Sequence, residues 1–172
     1  MLKLTGGTCR GRVLPAVVPD GVRPTSARTR EALFSIVGQH LDGWSFLDAF
    51  GGSGLIALEA ASRGAAPVIV CERNARAVGA IQANAAAVGL VLDVRAADAA
   101  SLPAATQAHA VFLDPPYADD VAAWITRLGP CAREVLVAEG RTGTAFPEVA
   151  GALPLDRLRT YGEATLAVYR QK

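Results

Sequence analysis

The sequence predicts an α/β fold with a mostly parallel sheet and helices on both faces. Three observations predict it. From residue 45 onward, short Val-, Ile- and Leu-rich runs alternate with helix-like stretches. Those runs are continuously apolar rather than alternating, the pattern of strands covered on both sides. The links between them are short, as in strand–helix–strand units.

Each element has its own signal. Leu2–Thr5 and Arg12–Val18 read as two short strands around Gly6-Gly7 and Gly11, a hairpin. Pro24 ends the extended stretch, and Thr25 or Ser26 can cap a helix with Leu33, Phe34, Val37 and Leu41 on one face. SFLDAF (45–50) is a strand, followed by the turn Gly51-Gly52-Ser53-Gly54 and a helix LIALEAASRG closed by Gly64. PVIVCE is a strand, Asn74 to Gly89 an Ala-rich helix, and VLDVRAAD a strand. HAVFL leads into Asp114-Pro115-Pro116-Tyr117. DDVAAWITRLG is a helix, EVLVAEG a strand, and LDRLRTYGEATLAVYR two strands about a Tyr-Gly turn.

Length and composition set bounds. At 172 residues with 51% hydrophobic and 19% charged residues, the chain suits one globular domain, not a disordered segment. It has no apolar run of membrane-spanning length and no signal-peptide pattern, so the expected location is the cytoplasm, with no membrane partner. Cys9, Cys71 and Cys131 are scattered and odd in number, and only His40 and His109 could assist a metal, so neither a disulfide framework nor a metal site is expected. Net charge is only +1, yet residues 1–30 carry six basic residues against Asp20 alone. Such an asymmetry suits an arm that meets phosphates, or equally a solvated basic strand edge.

Two motifs carry the chemistry, each at the carboxyl end of a strand, where ligands of open α/β sheets bind. In the first, Asp48-Ala49-Phe50-Gly51-Gly52-Ser53-Gly54, the glycines permit a tight turn and close backbone approach to a ligand. Glu72 ends the next strand, where an acid can accept both hydroxyls of a ribose, and Asp98 follows the third strand, beside the place of an adenine. The order is D-x-x-x-G-x-G rather than the dinucleotide pattern G-x-G-x-x-G. A carboxylate ahead of the turn would repel a pyrophosphate and suits the ammonium of a methionine moiety, favouring S-adenosylmethionine over NAD.

The second motif is Asp114-Pro115-Pro116-Tyr117. Its prolines enforce extended geometry and remove backbone donors. Asp114 and the Pro115 carbonyl offer two acceptors for the N–H bonds of an exocyclic amine whose lone pair is otherwise delocalised into its ring. Tyr117 offers a face on which a base can stack, worth about 1–3 kcal/mol.

Taken together, D-x-F-x-G-x-G, then Glu72, Asp98 and D-P-P-Y resemble the class I S-adenosylmethionine-dependent amino-methyltransferases. Gly7, Gly11 and Arg12, the block Arg23-Pro24-Thr25 with Arg28, Arg30 and Glu31, and Tyr161-Gly162 before TLAVYR narrow the resemblance to the RsmD family, which methylates guanine N2 in 16S ribosomal RNA. The resemblance spans essentially the whole chain. It implies a Rossmann-like seven-stranded sheet with an N-terminal β-hairpin and helix extension. It also implies a single methyltransferase domain over 1–172, with residues 1–22 an RNA-contacting hairpin and 23–172 the catalytic core. Asp48, Phe50, Gly52, Ser53, Gly54, Glu72, Arg73, Asp98, Ala99 and Asp114 would bind S-adenosylmethionine, with Thr25 and Arg28 closing the pocket. Asp114, Pro115, Pro116 and Tyr117 would hold the base, and Arg10, Arg12 and Arg23 would meet RNA. The implied partner is 16S ribosomal RNA or the small subunit, and the implied state a monomer. One departure is that the loop reads F-G-G-S-G where the family has F-A-G-S-G.

Three other readings compete. A DNA adenine-N6 methyltransferase shares D-P-P-Y but generally needs an added target-recognition region. A non-catalytic RNA-binding assembly factor would show a broken motif, and both motifs are intact. A Rossmann oxidoreductase lacks its phosphate fingerprint. Trp44 and Trp124 read as core or semi-exposed packing groups, Asn84 equally as a buried polar contact or a group near the site, and Asp119 and Asp120 as helix openers that could also border the substrate pocket.

Overall fold

A computed structural model describes residues 2–16 and 25–172. The chain forms two compact units, divided between Ser101 and Leu102.

The first unit opens with a hairpin of β1 (Leu2–Lys3) and β2 (Val13–Leu14), antiparallel with Leu2 opposite Leu14. The second strand is shorter than the expected Arg12–Val18, and Val17 and Val18 fall outside the described residues. Leu4 and Leu14 pack with Leu55, Leu58, Ala85 and Val88, so the hairpin is fastened by apolar burial. Polar pins add direction. Cys9 N donates to Ser62 Oγ at 2.9 Å, and Ala16 N donates to Asn84 Oδ1 at 2.8 Å. Asn84 is thus a buried clip for the hairpin.

Helix α1 (Ala27–Val37) is capped by Ser26, whose hydroxyl accepts from Thr29 N, so Ser26 rather than Thr25 is the cap. Its Leu33 and Phe34 are fully buried. Three parallel strands follow: β3 (Phe46–Asp48), β4 (Val68–Glu72) and β5 (Asp93–Ala96), ordered β5-β4-β3. Helix α2 (Leu55–Ser62) links β3 to β4, and α3 (Ala75–Val88) links β4 to β5. Asn74 caps α3 by accepting from Arg76 N and Ala77 N, and Gly89 closes it in the left-handed conformation.

In the second unit β6 (Ala108–Leu113) runs parallel to β7 (Ala132–Arg141), with α4 (Val121–Leu128) in the link between them. Asp120 caps α4 through its carboxylate. β7 pairs antiparallel with β10 (Ala164–Arg170), and β10 with β9 (Leu153–Tyr161), the two strands expected about Tyr161-Gly162. A further two-residue strand, β8 (Val149–Ala150), pairs with the start of β9. The seven strands expected of the core are all present, with β8 added.

Among the described residues, no helix is long and apolar enough to cross a membrane. No cluster of three or more His, Cys, Asp or Glu side chains among them is placed to hold a metal.

Candidate active site

In the first unit the ends of β3, β4 and β5 form one polar rim. Asp48 closes β3 and is 1% exposed; its Oδ1 accepts from Phe50 N at 3.3 Å, which starts the turn. The turn is laced to β4: Gly51 N donates to Cys71 O at 2.7 Å, and Gly52 N to Glu72 Oε2 at 2.8 Å. Glu72 Oε1 accepts from Asn74 N at 2.7 Å. One carboxylate therefore bridges the glycine loop and the start of α3. Each of its oxygens has further lone pairs, so it can still accept a ligand hydroxyl.

Gly54 has φ +74°, and a Cβ there would stand 2.6 Å from Ile81 Cγ1. Only glycine satisfies both the backbone and the approach of α3. Gly51 has ordinary φ, but an added Cβ would lie 2.5 Å from Val70 Cγ2, so the family's alanine requires Val70 to turn. Ser53 is buried, and its Oγ accepts from Leu55 N at 3.3 Å at the opening of α2.

Beyond β5, Asp98 Oδ1 accepts from Ala100 N at 2.8 Å, opening a single 3₁₀ turn whose first residue, Ala99, is buried. Ala97 N donates to Glu72 O at 3.1 Å, which seats this turn beside β4. Arg73 Nη1 lies 3.7 Å from Asp98 Oδ2, an ion pair between largely exposed side chains. Asp48, Phe50, Gly52, Ser53, Gly54, Glu72, Arg73, Asp98 and Ala99 thus all gather at one rim of one sheet.

The donor set fits a nucleoside joined to an amino acid. Asp48 would supply a buried acid for an ammonium, Glu72 a backbone-held carboxylate for vicinal hydroxyls, and Ala99 an apolar surface beside Asp98. Cys71, in the strand beneath, is no nucleophile: burial pushes its thiol up to about 11, against a smaller opposing pull from Arg95.

In the second unit β6 ends in Asp114-Pro115-Pro116-Tyr117. Asp114 is half-buried, Pro115 buried, and Tyr117 is 38% exposed. The loop is fastened to α4 by Asp119 N donating to Pro116 O at 2.8 Å and Trp124 Nε1 donating to Asp119 Oδ2 at 3.0 Å. Trp124 and Asp119, read from sequence as packing and helix-opening residues, are the braces of this loop. Arg141, at the end of β7, lies over the Tyr117 ring, its guanidinium carbon 4.5 Å from the centroid. Sequence reasoning missed this residue. Its pairing partner is chosen by the sheet, and nothing local to residue 141 marks it.

The remaining expected residues belong to other elements. Thr25 and Arg28 stand at the start of α1. Arg10 sits in the hairpin turn, which is held to Ser62, the last residue of α2. Arg12 Nη2 donates to Ala87 O at 3.1 Å, in the last turn of α3. These two arginines attend the ends of α2 and α3 opposite the glycine loop, about 10 Å along α2 from its first turn. Arg23 lies outside the described residues.

A family model described as "Conserved hypothetical protein 95" matches residues 2–170. The chain belongs to this family. It is 30% identical over 183 residues to "Putative rRNA methyltransferase YlbH" of Bacillus subtilis, covering 99% of this chain and all of that protein. It is 29% identical to ribosomal RNA small subunit methyltransferase D of Escherichia coli, covering 99% of this chain and 90% of that protein. Among solved structures, "Putative methyltransferase yhhF" from Escherichia coli superposes with a TM-score of 0.85 at 30% identity, over 99% of this chain and 98% of that one. The Rossmann-like α/β fold expected from sequence is therefore that of the family.

Proposed function

We propose that this protein transfers the methyl group of S-adenosylmethionine to the exocyclic N2 amine of a guanine in small-subunit ribosomal RNA. The observation that carries this reading is the coexistence of two intact half-sites: a glycine loop pinned by Glu72 in one unit, and a braced Asp114-Pro-Pro-Tyr117 loop in the other. Family membership and the names of the relatives favour ribosomal RNA as the acceptor.

When bound, S-adenosylmethionine supplies an electrophilic methyl on a sulfonium. Asp48 would receive its ammonium, Glu72 its ribose hydroxyls, and Asp98 with Ala99 its adenine, with Thr25 and Arg28 closing the pocket. Asp114 and the Pro115 carbonyl accept the two N–H bonds of the amine, drawing the nitrogen toward tetrahedral geometry and localising its lone pair. Tyr117 stacks on the base. The nitrogen so held would take the methyl group, with the S–C bond broken as the N–C bond forms, and Asp114 would accept the surplus proton. Positioning and electrostatics carry most of the rate, so Asp114 need not be a strong base. Arg10, Arg12 and Arg23 meet the RNA backbone. Residues 1–172 act as a single methyltransferase domain, and a monomer suffices.

The deciding experiment is transfer of radiolabelled methyl to deproteinised small-subunit RNA, to small subunits lacking the modification, and to duplex DNA. Label recovered as N2-methylguanine in RNA is the expected result. Label only in DNA adenine would replace this reading.

A further inference from the structure

The second unit carries a row of cationic and aromatic side chains that continues from Tyr117. Residues directly opposite each other in an antiparallel pair point to the same face. Arg141 of β7 pairs with Ala164 of β10, and Ala164 pairs with Tyr161 of β9. Arg141 and Tyr161 therefore share a face, with only the small Ala164 between them. Along β9 the next residues on that face are Arg159, opposite Leu166, and Arg157, opposite Val168. Their spacing is roughly 6.8 Å per two residues. Arg157 and Arg159 are exposed.

Three features distinguish this row from scattered surface charge. It begins at a ring already in the candidate site, because Arg141 lies on Tyr117. Its anchor is rigid: Thr142 N donates to Glu163 O at 2.8 Å and Thr142 Oγ1 to Gly162 O at 3.0 Å, locking the end of β7 to the β9–β10 turn. Its arginines outnumber the acids on the face, where Glu139, opposite Leu166, is buried. Arg157 shares Asp156 with Arg170, whereas among the described residues Arg141 and Arg159 make no ion pair. On the side of β9 away from β10, no strand among the described residues pairs beyond Leu155, so the row lies on an edge strand.

We propose that this face of β9, continued through Arg141 to Tyr117, is the track for the single-stranded RNA that flanks the target base. Arg159 meets a backbone phosphate and Tyr161 offers a second stacking face. Arg141 is a positioning residue: it lies over the Tyr117 ring and orients it. Alternating aromatic and cationic groups along an open groove are what a sequence-tolerant single-strand track requires. This inference rests on the proposed function. The alternative, that the arginines only guard an open edge against strand addition, predicts effects on solubility and none on RNA.

The test compares Arg159→Gln and Arg141→Gln with Arg133→Gln, an equal charge change at the other end of β7, where Arg133 bonds Gln107. For Arg159→Gln the expected result is a several-fold higher KM for RNA with unchanged kcat and unchanged S-adenosylhomocysteine affinity. The slope of log kcat/KM on log salt should also become shallower by about 0.7, the loss of one single-strand phosphate contact. For Arg141→Gln, kcat/KM should fall in the wild-type background but not in Tyr117→Leu, since the arginine acts through the ring. Effects equal to those of Arg133→Gln would overturn the track while leaving the proposed function standing. Should the wild type methylate no RNA, the proposed function falls by itself. The track is then judged by fluorescence anisotropy with a labelled single-stranded oligonucleotide. A salt slope reduced by Arg159→Gln and not by Arg133→Gln upholds it; no binding, or equal slopes, overturns it.

Discussion

Glu72 Oε2 accepts the backbone N–H of Gly52 at 2.8 Å across a separation of 20 residues, while its Oε1 accepts from Asn74 N at 2.7 Å. The carboxylate assigned to the ribose is therefore also the clasp that shapes the glycine loop. Ligand binding and loop order are coupled through one side chain.

That coupling predicts a double effect of Glu72→Ala. S-adenosylhomocysteine affinity should fall at least tenfold, about 1.4 kcal/mol, when measured by calorimetry. Stability should fall by about 1–2 kcal/mol, since two hydrogen bonds to partly exposed amides are lost. Glu72→Gln keeps one good acceptor and should lie between. Wild-type affinity in Glu72→Ala with lowered stability would reduce Glu72 to a brace.

Asp114 belongs to the other half-site and should separate the two properties. Asp114→Ala is expected to abolish methyl transfer while S-adenosylhomocysteine affinity stays within about tenfold, or ~1.4 kcal/mol. Equal loss of both in paired activity and calorimetry measurements would move Asp114 into the cofactor pocket.

What the sequence disclosed follows the range of the interaction. The glycine loop, the Asn74 and Asp120 caps and Asp114-Pro-Pro-Tyr117 act within a few residues, and all were legible. Arg141 over Tyr117 depends on how β6, β7 and β10 register, which no local pattern encodes. The same holds for Thr5 bound to Glu59, 54 residues away. Strand β8 escaped notice because two residues, Val149 and Ala150, carry no period at all. The N-terminal charge excess was plain, but Arg12 also gives one donor to a carbonyl of the last turn of α3, a contact that composition cannot indicate.

Buried thiol and phenol set the alkaline limit. Burial raises Cys71 from 9.0 to about 11, and Tyr169, whose hydroxyl donates to Pro147 O at 2.9 Å, from 10.0 to about 12. Both groups favour the protonated form more in the folded than in the unfolded chain. Their contribution is complete below the unfolded values and drains away as pH rises through the folded ones. Unfolding free energy from urea titration should thus decline between about pH 9 and 12. In Cys71→Ala, which has no thiol to ionise, the decline over pH 9–11 should be shallower than in wild type. Parallel curves would show that Cys71 does not titrate on unfolding.

The largest single stability effect should come from Glu59, which belongs to neither half-site. This fully buried carboxylate on α2 accepts from Arg63 Nη2 at 2.8 Å and from Thr5 N and Oγ1, each at 2.9 Å. Arg30 Nε stands 3.9 Å away, too far for a hydrogen bond, and is itself buried. Arg63 Nη1 is held by Gln39, and its guanidinium lies 4.6 Å over Phe34. One acid thus neutralises two buried guanidinium groups and ties the hairpin and α1 to α2. Removing it leaves two uncompensated charges, and breaking a buried pair in this way costs about 3–5 kcal/mol. Glu59→Ala should lose that much in urea denaturation, a large share of a domain's stability. Arg30→Met should behave differently. It relieves an excess buried charge that makes no hydrogen bond with Glu59, so its cost should stay below about 1 kcal/mol. A loss in Arg30→Met matching that of Glu59→Ala would mean that Arg30, not Glu59, is the hub that joins the three elements.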